Sequence, residues 1–110
     1  MKIMNLTPHS IVFVVVGDRK IVVEPSGLVA RVSSKTEAVG EIVTPEGTIP
    51  VTQTVFGEVE NLPEPEDGKV FIVSSLVAQR VPEREDVFIP NESVRDSNGR
   101  IIGCKSLGHI

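Results

Sequence analysis

The feature that most constrains this chain is a series of short apolar runs, each ended by residues that favour turns. Residues 11–16 form an unbroken run of isoleucine, valine and phenylalanine that stops at Gly17. Residues 20–24 form a second run that stops at Pro25, and residues 28–32 form a third. Short β-branched runs between glycine and proline turns are typical of β-strands. The sequence therefore predicts a succession of short strands, with the first two joined as a hairpin.

The composition favours the same class of structure. The 110 residues include 19 valines and 10 isoleucines, but only 4 phenylalanines and neither tryptophan nor tyrosine. Such a core is aliphatic and β-branched, which suits the pleated surface of a sheet. A chain of this length builds one modest core, so we expect a single domain over residues 1–110.

Further strands are expected at residues 40–43, 49–56, 69–74, 86–89 and 100–105. Residues 44–47, Thr-Pro-Glu-Gly, fit a β-turn. The Asn98-Gly99 pair predicts a tight hairpin with a type I′ turn. Residues 61–68 contain two prolines separated by one residue, which predicts an exposed loop.

One segment reads as a helix, from Ser75 to Val81. Ser74 or Ser75 can cap its first turn, and Pro82 ends it. So short a helix is stable only when it packs on a sheet. The predicted fold class is therefore mainly β, an antiparallel sandwich or small barrel with one short helix.

The charge distribution argues against nucleic acid as a partner. The net charge is −4 and the isoelectric point about 5.1, so no basic field attracts a phosphate backbone. Between Thr36 and Gly68 there are eight acidic residues and neither lysine nor arginine. This stretch is interpreted as a solvated acidic edge.

The sequence has no motif that indicates catalysis, a cofactor or a metal. It lacks a phosphate-binding loop, an HExxH motif, a Cys-x-x-Cys pair and a nucleophile elbow. Cys104 is the single cysteine, which excludes an internal disulfide. The N-terminal residues lack the apolar run of a signal peptide, and the longest apolar run is far too short for a membrane span. We expect a cytoplasmic protein that is not an enzyme, needs no cofactor and contacts no membrane.

Several blocks resemble a family of small, largely uncharacterised proteins of bacteria and tailed bacteriophages or prophages. The family begins with the motif Asn5-Leu6-Thr7-Pro8-His9. The other matching blocks are residues 25–32, 55–63, 70–82, 84–86, 94–96 and 99–104, which cover nearly the whole chain in order. The resemblance implies a small phage or prophage protein, such as a virion accessory, a host-takeover factor or an inhibitor of bacterial immunity.

The candidate binding residues cluster around the predicted helix. Serine hydroxyls at a helix start and guanidinium forks both bind phosphate or carboxylate oxygens. The candidates for a small anionic, nucleotide-like ligand are Ser74, Ser75, Gln79, Arg80, Arg84, Arg31 and His9. The helix start and Arg80 lie about 8–10 Å apart at the rise of a helix, so a single phosphate cannot touch both.

Each candidate also has a purely structural interpretation. His9 and Thr7 can tie their turn to a neighbouring strand through backbone hydrogen bonds. Arg31 can extend to the surface or pair with a carboxylate. Arg80 can close the helix, and Arg84 can pair with the acids next to it.

Two functions therefore remain open. The first is a non-enzymatic binding protein that captures a small anionic ligand and sequesters a bacterial immune signal. The second is a virion accessory or host-protein-binding interaction protein that uses strand edges such as residues 51–55. A homo-oligomer is expected.

Overall fold

The structure is a computed structural model that describes residues 1–110, except for the side chain of Asp18. Eight strands and one helix follow in the order β1 (Lys2–Asn5), β2 (Ile11–Val15), β3 (Arg19–Val23), β4 (Arg31–Thr44), β5 (Gly47–Glu60), β6 (Lys69–Ile72), α1 (Ser75–Arg80), β7 (Val87–Arg95) and β8 (Ile101–Gly108). More than half of the residues are in strands, whereas the helix contains six. The predicted mainly β class with one short helix is confirmed.

Six strands form one curled sheet, a half-barrel with the order β1-β6-β7-β8-β2-β3. The pairs β2–β3 and β7–β8 are antiparallel, whereas β1–β6, β6–β7 and β2–β8 are parallel. The sheet is thus mixed, and the expectation of antiparallel pairing holds only for the strands joined by hairpins. Strand patterns in the sequence do not reveal a parallel pairing, because its partners are distant along the chain.

Strands β4 and β5 form a separate two-stranded ribbon of 14 residues in each strand. The molecule measures 60 × 40 × 23 Å, and its radius of gyration is 18.4 Å. A compact domain of this length would have a radius of gyration of about 13 Å. The ribbon accounts for the difference, because it extends out from the six-stranded sheet.

The sequence predicted only the two ends of β4. The residues between them are polar, and they lie in a strand because they pair with β5 rather than because they bury a face. The predicted turn at residues 44–47 is confirmed, and the Thr44 hydroxyl bonds both the carbonyl oxygen and the N–H of Gly47. The last hairpin differs from its prediction. Its turn spans Asp96 to Gly99 and only Gly99 has a positive φ, of 80°, whereas a type I′ turn needs two such residues.

Strand β6 separates two clusters of buried side chains. Phe71 and Val73 face one cluster, together with Leu6, Ala30, Val77, Ala78 and Val87. Ile72 faces the other, with Phe13 and Cys104. Successive residues of a strand point to opposite faces, so the two buried residues of β6, Phe71 and Ile72, belong to different clusters, and Val73 just beyond the strand joins the cluster of Phe71. The helix packs on the first cluster through Val77 and Ala78.

The buried side chain of Asn5 joins the two edges of the half-barrel. Its Nδ2 donates to the carbonyl oxygens of His9 at 2.8 Å and Val23 at 3.1 Å. Its Oδ1 accepts from the Thr7 N–H at 2.9 Å and the Thr7 hydroxyl at 2.7 Å. The Asn5 carbonyl accepts from the N–H of Ser26 just beyond β3. The end of β1 is therefore fastened to the end of β3, and the sheet curls.

Replacing Asn5 with alanine is expected to lower the free energy of unfolding by about 2–4 kcal/mol, because the carbonyls and N–H that it satisfies lose their partners in a buried position. Chemical denaturation measures this. Asn98→Ala, at an exposed turn position, is the matched control and should change stability by less than about 0.5 kcal/mol. Equal effects of the two substitutions would contradict the closing role of Asn5.

Candidate functional site

The helix residues proposed for ligand binding lie together on the exposed side of α1. Ser74 is the N-cap, and its hydroxyl accepts from the Val77 N–H. Gln79 Nε2 donates to the Ser75 hydroxyl at 3.1 Å, one helical turn away. Arg80 is exposed in the last turn. These groups lie on the exposed side of the helix, because Val77 and Ala78 hold the opposite face against the core.

Arg84 occupies a very different environment from Arg80. Its Nε and Nη2 bind the two carboxylate oxygens of Asp86 at 2.8 and 2.9 Å. Its Nη2 also donates to the Pro63 carbonyl at 3.0 Å. The guanidinium lies 6.0 Å from the centre of the Phe71 ring. Arg84 therefore fastens the loop before β6 to the segment before β7.

This contact shifts the pKa values of both partners. The hydrogen bonds from Arg84 hold the pKa of Asp86 below its ordinary value, against the opposing effect of burial. The same hydrogen bonds raise the pKa of Arg84. Both groups are charged at neutral pH and largely neutralise each other, so Arg84 offers little net charge to an anion.

Arg31 and His9 are also engaged locally. The Nε of Arg31 lies 3.7 Å from a Glu60 carboxylate oxygen, and both side chains are well exposed. The backbone carbonyl of His9 accepts from Asn5 and from the Thr7 hydroxyl, whereas the residue itself is exposed. These contacts match the structural interpretations of both residues.

Most of the segments that contain the predicted binding residues lie at one end of the six-stranded sheet. Strands β1 and β6 are parallel neighbours, so the loops that follow Asn5 and Ile72 emerge side by side. The Ala30 N–H donates to the Leu6 carbonyl, which places Arg31 at the same end. His9, Arg31 and Ser74 thus belong to adjacent segments, but no contact joins their side chains in the part of the chain described.

A cleft of about 470 Å³ lies between the end of α1 and the C-terminal residues. Of the predicted residues, only Arg84 lines it, together with Ala78, Val81, Pro82, Glu85, Val87, His109 and Ile110. The His109 ring packs on Phe88, with ring centroids 4.4 Å apart. Sequence reasoning did not include His109 in this site, since only the course of β8 brings it back to the helix. A cleft of this size is large enough for a small molecule, and more of its lining surface is polar than apolar.

The distal half of the ribbon is a second candidate surface. Ile42 lies opposite Ile49, and Gly40 lies opposite Val51 two residues further along the same face. Val43, which lies opposite Thr48, and Pro50, which lies opposite Glu41, belong to the other face. The same half of the ribbon, residues 36–52, contains no lysine or arginine and has three acidic residues, Glu37, Glu41 and Glu46. The ribbon therefore combines exposed apolar side chains with negative charge.

Cys104 is buried and takes no part in either surface. Burial raises the pKa of its thiol, and the Sγ lies 3.7 Å from the Val12 carbonyl oxygen. The thiol remains protonated at neutral pH and is not a reactive nucleophile.

No protein-family model, curated protein or solved structure matches this chain. Within the described residues, no group of histidine, cysteine, aspartate and glutamate side chains is arranged to hold a metal ion. In the described part of the chain, no helix is long enough and apolar enough to cross a bilayer.

Arg84→Ala is expected to lower the free energy of unfolding at neutral pH by about 1–3 kcal/mol, because it leaves the half-buried Asp86 carboxylate without its partner. The matched control Arg80→Ala removes an exposed guanidinium and should cost less than about 0.5 kcal/mol.

The pH dependence gives a second test of the same pair. Asp86 has a folded-state pKa below its unfolded value of about 3.9, so its contribution is complete above that pH and is lost as the pH falls through the folded pKa. The stability difference between the unaltered protein and Arg84→Ala should therefore shrink as the pH is lowered below about 4. A difference that stays constant down to acid unfolding would contradict the ion pair.

Proposed function

We propose that this protein is a non-enzymatic, phage-type interaction protein that self-associates through the β4–β5 ribbon, in the manner of a virion accessory. The observation that carries the proposal is the ribbon itself. At about 3.3 Å per residue, strands of this length extend about 45 Å. Only the proximal residues Val32 and Val59 pack against the core.

An isolated two-stranded ribbon is marginally stable in water. The distal ribbon also leaves large apolar side chains in solvent: Ile42 is 56%, Ile49 54% and Val43 79% exposed. Burying such side chains stabilises by about 25 cal/mol per Å² of apolar area. A second protein surface supplies that burial, and the acidic charge makes nucleic acid a poor occupant.

The context from the sequence agrees with this proposal. The resemblance to small phage and prophage proteins includes virion accessories, and the lack of catalytic motifs favours a binding role. We place the protein in the cytoplasm of the bacterial host, where such proteins are made and assembled.

Shortening the ribbon should abolish self-association without unfolding the protein. Replacing residues 38–52 with Asn-Gly leaves Glu37 and Gln53 paired at the new tip and removes no residue of the two buried clusters. We expect a monomer whose free energy of unfolding lies within about 1 kcal/mol of the unaltered protein. Light scattering after size-exclusion chromatography reports the mass.

The full-length variant Ile42→Ser with Ile49→Ser is the control for ribbon length. It should also weaken association, because the burial is lost although the strands remain. A shortened protein that keeps the oligomeric mass of the unaltered protein would overturn the proposed function.

A second candidate function, capture of a small anionic, nucleotide-like ligand, is supported by the cleft at the end of α1. Arg84 and His109 stand at a partly apolar cavity of suitable size. Asp86 largely neutralises the charge of Arg84, so the contribution of Arg84 to binding would be a hydrogen bond from Nη1, the donor not used by Asp86 or Pro63 in the contacts described. In this candidate the protein lowers the free concentration of a bacterial immune signal by mass action.

Mass spectrometry of small molecules released by denaturation tests the second candidate. After purification from cells with an active nucleotide-signalling immune system, ligand capture predicts a stoichiometric nucleotide-like species. His109→Ala should reduce its amount, since His109 lines the cleft. Arg80→Ala should reduce the amount of released nucleotide only if the ligand extends along the exposed face of α1. Because Arg84→Ala is expected to lower stability, its effect on binding is interpreted only after the stability of that variant has been measured. Release of no small molecule while signalling is active would exclude this candidate.

A further inference from the structure

The ribbon exposes one strand edge that is suited to pairing and one that is not. Strand β5 contains Pro50, which has no N–H to donate. Proline is tolerated in a ladder where its nitrogen faces outward, so the outer edge of β5 is interrupted there. The outer edge of β4 contains no proline, and no strand among the described residues pairs with it. We therefore expect a strand of another molecule to pair with the outer edge of β4 rather than with that of β5.

The six-stranded sheet exposes a corresponding edge at β3. This strand pairs with β2 on one side. On its other side, Asn5 of β1 bonds the carbonyl oxygen of Val23 and bridges to Pro25, whereas residues 19–22 have no paired strand among the described residues. Ile21 and Val22 are 51% and 52% exposed, although they lie in the middle of the strand. An edge strand with exposed apolar side chains is a template for pairing with another chain.

The charges of the two edges are complementary. Arg19 and Lys20 are exposed on β3. On β4, Glu37 is paired with Lys35 at 3.1 Å, whereas Glu41 has no salt bridge among the described contacts and is exposed near the tip of the ribbon. Opposite charges on facing strands stabilise pairing and like charges oppose it.

The order of residues selects one direction of pairing. In parallel register, Lys20-Ile21-Val22 of β3 lies beside Glu41-Ile42-Val43 of β4. Lysine then faces glutamate and valine faces valine on one side of the sheet, while isoleucine faces isoleucine on the other. Antiparallel pairing centred on the isoleucines would set each charged residue opposite a valine.

We propose that the outer edge of β4 in one copy of this chain binds in parallel to the outer edge of β3 in a second copy, adding a strand to its half-barrel. This rests on the proposed self-association through the ribbon. Because the two surfaces differ, the contact runs head to tail and generates a ring or a filament rather than a symmetric dimer.

Charge reversal tests the pairing. Lys20→Glu and Glu41→Lys should each weaken self-association by about three- to tenfold, measured by sedimentation velocity, since like charges then face each other. The double variant should regain the association of the unaltered protein. Glu58→Lys makes the same change of charge at an exposed position of β5 near the base of the ribbon and should have little effect.

Disulfide cross-linking tests the register directly. A mixture of Lys20→Cys and Glu41→Cys proteins should form a mixed dimer under oxidising conditions, whereas a mixture of Lys20→Cys and Glu58→Cys should not. Cys104 is buried and does not compete. An unaltered protein that remains monomeric at every concentration would overturn both the self-association and the pairing. Self-association without an effect of charge reversal, and without the cross-link, would overturn the pairing alone.

Discussion

The fold depends on one buried amide. Asn5 is the only polar side chain in the described chain that is almost completely buried, at 1% exposure, and all of its hydrogen bonds are made to its own loop or to the neighbouring edge strand. A buried amide is costly unless every donor and acceptor is satisfied. Because the partners of Asn5 come from the loop after β1 and from the end of β3, its satisfaction requires the two edges of the sheet to meet. The curl of the half-barrel follows from that requirement.

The six-stranded sheet buries side chains in two clusters, and the ribbon differs from it in this respect. Strand β6 shares its buried residues between two clusters, whereas the distal ribbon contributes to neither. Many residues of the distal ribbon therefore gain little stabilisation from burial within one copy of the chain. This distribution of burial is what favours a role in assembly, since the apolar side chains of the ribbon need a surface that the monomer does not provide.

Two arginines separated by four residues show how local chemistry alone misleads about a site. Arg80 and Arg84 look equivalent in the sequence, yet Arg80 is exposed while Arg84 binds Asp86 and the distant Pro63 carbonyl. Their convergence on one anion is therefore not supported by the geometry, because Pro82 ends the helix and the chain turns between them. His109 reaches the cleft near Arg84 only through the pairing of β7 with β8.

The sequence by itself determined the mainly β class, the helix with its Ser74 cap and Pro82 stop, and the turn at residues 44–47. Those features depend on residues within about four positions of each other, whose conformational preferences are strong. Only the tertiary structure decided the parallel pairings, the extension of β4 through its polar middle, the role of Asn5 in closing the sheet, and the partners of Arg84. Each of these depends on backbone groups or strands brought together from distant parts of the chain, and no local pattern of residue types specifies which partner will arrive.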